Sequence, residues 1–203
     1  LGGHSFGGMV AFEMATQLHE RGYEVALLAL LDSPAPGYRT NELDFDGDDA
    51  GWMKKIAGLV ETLYGKSLNV SEEALKVLDP MEQLNYFKQQ LQMVNFLPPD
   101  VGIKQARGLI QVFKTNLQTA SVYMPQAVYP AQITFFRASE IDAVSHANSE
   151  TLDELGLGWD KFSTQPLDIH FVPGNHHTMF NEPHVQVLAK QLTICIEQAQ
   201  TND

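Results

Sequence analysis

The sequence predicts an α/β fold: a mostly parallel sheet covered by helices and interrupted by a helical insertion. Three observations lead there. A glycine-bracketed serine, Gly3-His4-Ser5-Phe6-Gly7, runs straight into a helical pattern. An apolar run from Glu24 to Leu31 follows and ends in Asp32, and two more strand-like runs come far downstream. Between them lies a long stretch with no good strand run. Short continuous apolar runs suit strands buried on both faces, as in a parallel sheet flanked by helices.

The elements follow in chain order. G-x-S-x-G is the strand-to-helix turn that lifts a nucleophilic serine clear of a sheet. Such a turn strains the serine backbone and brings strand and helix close together. Gly3 and Gly7 are therefore expected to be steric requirements, with Gly8 giving the helix further room. The helix that follows, through Met9 to Leu18, has apolar positions at helical spacing and stops at Arg21-Gly22. Its N-terminus aims free N–H groups at Ser5, where an oxyanion would form. The strand Glu24–Leu31 then ends in Asp32, on the rim where open α/β sheets place their sites. The competing reading of Asp32 is a turn cap ahead of Pro34.

The segment from Arg39 to about Arg107 reads as helices: Trp52–Leu63, Ser71–Leu78 capped at Ser71, and Met81–Val94 stopped near Pro98-Pro99. An insertion of this kind, approximately 39–107, reads as a lid; the competing reading is a set of ordinary packed helices. Met53, Leu59, Leu63, Met93 and Phe96 could line a channel or join the lid to the body; such residues at helical spacing are more often core, and none is assigned as a ligand site. A longer helix, Ala106–Tyr123, returns the chain to the sheet. Strands are expected at Pro130–Ala138 and Gln165–Val172, and a last helix holds Val187–Ile196.

A serine hydroxyl is a weak nucleophile at neutral pH and needs a base, which an acid orients. Seven histidines are present. His4 lies inside the elbow and is expected to point elsewhere. His19 is on a helix, His146 is in a polar loop, and His170 is inside a strand. His184 follows Pro183 and is read as a cap or a solvent-facing residue. His176 and His177 remain, in a turn just after the last strand, and adjacent residues cannot both aim at Ser5. The order Ser, Asp, His along the chain agrees with a hydrolase site.

Gly2-Gly3-His4-Ser5-Phe6-Gly7-Gly8, Leu31-Asp32-Ser33-Pro34 and Val172-Pro173-Gly174-Asn175-His176-His177-Thr178-Met179 resemble the thioesterase domains of nonribosomal peptide and polyketide synthases. The resemblance spans nearly the whole chain. It implies an α/β-hydrolase fold, here its C-terminal portion with a helical lid, in one partial domain over 1–203. It places the nucleophile on Ser5, the acid on Asp32 and the base on His176, with His177 where the family often has an aromatic residue. The Phe6 N–H would form half of the oxyanion hole. The implied substrate is an acyl or peptidyl chain on the phosphopantetheine arm of a carrier protein, released by hydrolysis or cyclisation. The implied partners are that carrier and upstream synthase modules, with no cofactor bound by the domain itself. A free-standing editing thioesterase or carboxylesterase is the rival enzyme. An inactive fragment serving as a binding or assembly module is the rival of another class.

Composition limits the remaining choices. A net charge of −12 argues against nucleic acid. No membrane-length apolar run or signal peptide is read, and a cytoplasmic protein is expected. The single cysteine, Cys195, is read as packed core. The acidic run Asp44–Asp49 lacks the spacing of an EF-hand, and no Cys/His spacing suggests zinc, so no metal is assigned. Only Leu1 and Gly2 precede the elbow, and a whole family domain carries strands before it. The chain alone is therefore expected to hydrolyse thioesters weakly or not at all, and to self-associate through an exposed sheet edge. Sizing chromatography and a thioester assay on the isolated chain check this; a monomer with full turnover would overturn it.

Overall fold

A computed structural model describes residues 1–38, 48–140 and 155–201. The chain divides into two units: Leu1–Thr40 with Ala120–Asp203, and Asn41–Thr119.

The first unit carries the sheet. Its strands are β1 (Gly2–His4), β2 (Ala29–Leu31), β3 (Thr134–Ala138) and β4 (Asp168–Val172). They lie in the order β1-β2-β3-β4, and every pairing is parallel. All four C-terminal ends therefore meet at one rim, where His4 is in register with Leu31 and Leu31 with Phe136. The expected strands are found but shorter. β2 starts at Ala29 rather than Glu24, because its ladder with β1 begins at the Gly2–Ala29 pair. Gly2–His4, expected only as a remnant, pairs as a fourth strand.

Helix α1 (Phe6–Glu20) buries Gly8, Met9, Ala11, Phe12, Ala15 and Thr16, a single stripe at helical spacing. Phe12 is fully buried and meets Trp159 with ring centroids 4.8 Å apart. Burial of one such ring is worth about 1.5–3 kcal/mol. Leu28, Leu30 and Phe135 join this cluster. Their alternates Ala29 and Phe136 join a second cluster with Val172, Met179, Leu188 and Cys195, the last two from α6 (His184–Thr201). Alternation between two cores means that β2 and β3 are buried on both faces, which is why they read as continuous apolar runs, whereas β4 leaves Phe171 exposed.

The second unit is helical: α2 (Asp49–Tyr64), α3 (Glu72–Lys76), α4 (Pro80–Met93) and most of α5 (Ile103–Val122). It has its own core, including Trp52, Met53, Ile56, Leu75, Phe87 and Leu91. Phe96 packs against that core, and Met93 is exposed. Ser71 caps α3 through the Ala74 N–H, as its sequence position suggests. The start of α4 is fixed by a reciprocal box between Asp79 and Glu82. Asp48, from the acidic run, caps α2; Asp44 and Asp46 lie outside the described residues. Among the described residues no helix is long and apolar enough to cross a membrane.

The glycines of the elbow divide differently from expectation. A Cβ on Gly3 would lie 2.0 Å from the Gly7 carbonyl oxygen, and one on Gly8 would lie 2.4 Å from Ser33 Cβ and Oγ. A Cβ on Gly7 would meet nothing within 4 Å. Gly7 is thus not a steric requirement in its own right. Its backbone is what occupies the space beside Gly3. Gly3→Ala and Gly8→Ala should each destabilise the chain by about 1–3 kcal/mol, as overpacking does. Gly7→Ala should stay within about 1 kcal/mol. Urea midpoints measure the difference, and a Gly7→Ala loss equal to that of Gly3→Ala would refute the packing argument.

Candidate active site

Ser5 stands between β1 and α1 with φ 53° and ψ −126°. Asp32 follows β2 directly and has φ 43°. Among the described residues four non-glycine positions have positive φ, and these are two of them. Such conformations cost of order 1–3 kcal/mol each and persist where surrounding bonds over-determine them. Here the Ser5 N–H donates to Leu31 O at 3.2 Å, and the Asp32 N–H donates to Phe136 O at 2.7 Å. The turn after Asp32 is pinned as well: Trp159 Nε1 donates to Ser33 O at 2.6 Å, and the Ala35 N–H donates to Leu157 O at 2.9 Å.

The Asp32 carboxylate is buried, with 4% of the residue exposed. Its Oδ2 accepts from His176 Nδ1 at 2.9 Å. Its Oδ1 accepts from Arg137 Nη1 and from the Ala138 N–H, each at 2.9 Å. Burial alone would raise the carboxyl pKa. The His176 and Ala138 hydrogen bonds, with the charge on Arg137, outweigh burial and hold it below the usual value.

The histidine turn is shaped by its own sequence. Gly174 has φ 89°, and a Cβ there would lie 2.4 Å from His184 Nδ1. Asn175 Oδ1 accepts from the His177 and Thr178 N–H groups at 3.0 and 2.8 Å, closing an Asx turn. Met179 is fully buried and anchors the far end. This geometry gives Asp32 to His176. The His177 ring lies edge-on to that of His176, with centroids 4.9 Å apart. Because Nδ1 donates to Asp32, the neutral His176 ring keeps a lone pair on Nε2, which can take a proton.

His4 differs from expectation. It does not point away from the site: its Nε2–H donates to the His176 carbonyl at 3.0 Å. Its ring lies 4.4 Å from the His176 ring and edge-on to Phe180. Burial and the neighbouring His176 push its pKa down to about 4. Ser5, the next residue, has no side-chain hydrogen bond among the described residues, and Phe6 opens α1 with an N–H that no helical carbonyl can take.

The remaining histidines are placed as follows. His19 is exposed on α1, and His146 lies outside the described residues. His170 pairs with Asp168. His184, read as a cap or a solvent-facing residue, instead buries an unpartnered Nδ1 beside Gly174. Sequence reasoning missed Arg137, although a lone charge inside the apolar run Ile133–Ala138 was a usable signal. It had no means to find the Ala138 N–H.

The profile of the family described as Thioesterase domain matches residues 1–194. Chondramide synthase from Chondromyces crocatus is 27% identical over 194 residues, covering 95% of this chain and 5% of the synthase. A crystal structure of a four-domain nonribosomal peptide synthetase bound to AMP and glycine superposes with TM-score 0.79 at 26% identity, covering 95% of this chain and 14% of that one. The NocB thioesterase domain, solved as a covalent complex with a fluorophosphonate nocardicin G analogue, gives TM-score 0.56 at 25% identity. That match covers 98% of this chain and 64% of the NocB thioesterase domain chain. The chain thus spans a small part of the curated relatives, from 5% to 21% of their length.

Two titrations at the rim have opposite forms but act in the same direction. A half-buried neutral His4 favours the folded state until the unfolded chain begins to bind protons near pH 6.5, and that gain is lost as pH falls to about 4. Asp32, with its pKa held low, contributes stability above the unfolded value of 3.8, which is lost below it. Stability should therefore decline in two windows on acidification. His4→Gln, which keeps an amide donor, should flatten the pH 6.5–4 window and leave the lower one. Urea midpoints at stepped pH test this; an unchanged slope in His4→Gln would refute it.

Proposed function

The chain belongs to the thioesterase domain family, and we propose on that ground that it releases an acyl or peptidyl chain held as a thioester on a carrier protein. One observation carries the reading. A buried acid is bonded to His176 at 2.9 Å, on the rim that also holds a serine with the positive φ of a nucleophile elbow. Ser5 Oγ attacks the thioester carbonyl while His176 Nε2 takes its proton. The Phe6 N–H bonds the oxyanion. The carrier's thiol leaves with the proton from His176, and an acyl group stays on Ser5. Water or a nucleophile within the chain then attacks, with His176 again as base, and the product departs. Asp32 fixes the tautomer and stabilises the imidazolium.

The relatives support the carrier as partner. They include a nonribosomal peptide synthetase, and the curated relatives are many times longer than this chain. The substrate is assigned to a phosphopantetheine arm that the carrier brings. The insertion at approximately 39–107 falls between β2 and β3 in chain order, and we assign it the part of a lid for the acyl or peptidyl chain. NocB forms a covalent complex with a fluorophosphonate, so the same chemistry is the natural probe.

In a protein that carries the whole domain, Ser5→Ala should abolish both fluorophosphonate labelling and release. Asp32→Asn and His176→Ala should lower turnover by about 10⁴-fold or more, and His177→Ala by less than about ten-fold. Labelling of Ser5→Ala would remove the nucleophile assignment. Collapse in His177→Ala with activity kept in His176→Ala would move the base by one residue. Preference for a simple carboxylic ester over a carrier-bound thioester would favour a carboxylesterase.

A further inference from the structure

Three side chains that the release reaction does not use converge away from the rim, where β4 meets α6. Asp168 and His170 are two apart on β4, so both leave the same face of the strand. Cys195 reaches them from α6 and is 4% exposed. His170 Nε2 lies 2.8 Å from Asp168 Oδ2 and 3.6 Å from Cys195 Sγ. The three ligand atoms fall within 4.8 Å of one another. Phe136 stacks on the His170 ring at 5.2 Å and 22°, which fixes its plane.

A Cys-His-Asp relay would set the thiol on one ring nitrogen and the carboxylate on the other. Here both crowd Nε2, so the arrangement does not activate the thiol. Convergence on one point is instead the geometry of coordination. We propose that Asp168, His170 and Cys195 form a three-ligand site for a divalent transition-metal cation of the Zn²⁺ type, joining the edge strand β4 to α6.

The sulfur–nitrogen distance already suits a bound cation, and the carboxylate is the group that must move. Bond lengths of about 2.3 Å to sulfur, about 2.0–2.1 Å to nitrogen and about 2.0–2.2 Å to oxygen, set tetrahedrally, put sulfur and nitrogen about 3.6 Å apart. Nitrogen and oxygen come out about 3.4 Å apart and sulfur and oxygen about 3.6 Å apart, so the Asp168 carboxylate opens by about 0.6 Å from His170 while settling beside Sγ, with all three ligand atoms starting within 4.8 Å of one another. Mixed sulfur, nitrogen and oxygen donors suit Zn²⁺ and its neighbours rather than Mg²⁺ or Ca²⁺. On binding, the Cys195 thiol gives its proton to solvent, and His170 moves its proton from Nε2 to Nδ1. The fourth position is left to water, since the Asp168 and His170 side chains are 41% and 26% exposed. Sequence spacing hid the site, because zinc patterns pair near neighbours and Cys195 follows His170 by 25 residues.

The test is a Co²⁺ titration of the metal-stripped full chain, read by absorption. Cys195 is the only cysteine, so a thiolate-to-cobalt charge-transfer band reports this site even if Co²⁺ also meets His4, His176 or His177. The band should saturate at one Co²⁺ per chain and be displaced by Zn²⁺, and Zn²⁺ should raise Tm above its value in EDTA. His170→Ala and Asp168→Asn should each weaken Co²⁺ binding at least ten-fold, since even outer-shell changes cost about 10–100-fold. Ser5→Ala should leave the Co²⁺ band and its affinity unchanged. No band from a chain that circular dichroism shows to be folded would overturn the proposal. So would a band of unchanged affinity in Asp168→Asn, whose half-exposed position keeps the test open if His170→Ala does not fold.

Discussion

The buried carboxylate of Asp32 sets the terms for the rest of the sheet. A charge taken out of water must have its hydrogen-bonding sites filled. Three donors fill them, and they come from separate places: the Arg137 side chain, the Ala138 backbone and the His176 ring. β3 supplies two and the loop after β4 supplies the third. A slip of β3 by one residue would turn Arg137 to the other face and carry the Ala138 N–H out of reach. The register Leu31–Phe136–His170 and the order of the site are therefore one requirement. Sheet register usually follows from apolar patterning, but here a polar hub enforces it as well.

That requirement explains which parts of the molecule were legible in the sequence. The α/β-hydrolase architecture was readable because its signals are local: an elbow, apolar runs, and caps such as Ser71. The assignment of Ser5, Asp32 and His176 to one rim used only strand ends, and parallel strands put all such ends on one side. Contacts made across the sheet left no local mark. His4 looked irrelevant because the residue before an elbow serine has no short-range partner; its partner, the His176 carbonyl, is 172 residues away. Gly7 was misread for a related reason. The motif shows that the elbow is crowded, but not that the crowding runs from the Gly7 backbone to Gly3 Cα rather than from a Gly7 side chain. The Asp168–His170–Cys195 cluster escaped in the same way, since it forms only when α6 lies on β4.

The strain at Ser5 and Asp32 belongs to the same system. Each positive φ follows the last residue of a strand, β1 and β2, which are neighbours in register. Ser5 is held by Leu31, and Asp32 by Phe136, so each strained residue hangs on the next strand along. The unfavourable conformations are thus passed across the sheet to β3, which is buried on both faces by Phe135 and Phe136. A rigid core strand at the end of that chain of bonds is what lets two adjacent turns stay strained.

The ion pair with Arg137 needs a separate physical reason. An acid beside a histidine stabilises the imidazolium best when its negative charge is undivided, yet here Oδ1 faces a guanidinium at 2.9 Å. Arg137 draws part of the carboxylate's field away from His176. In exchange it keeps the buried acid ionised and fixes its rotation, so Oδ2 has one orientation toward Nδ1. The balance suits the release proposed for this chain. A leaving thiol with a pKa of about 8.5, like that of cysteine, needs far less proton donation than an amine or an alkoxide. In the proposed release, thiol departure therefore asks little of the field on His176, whereas breakdown of the acyl-Ser5 ester expels the Ser5 alkoxide and relies on the fixed position of the His176 ring to return its proton.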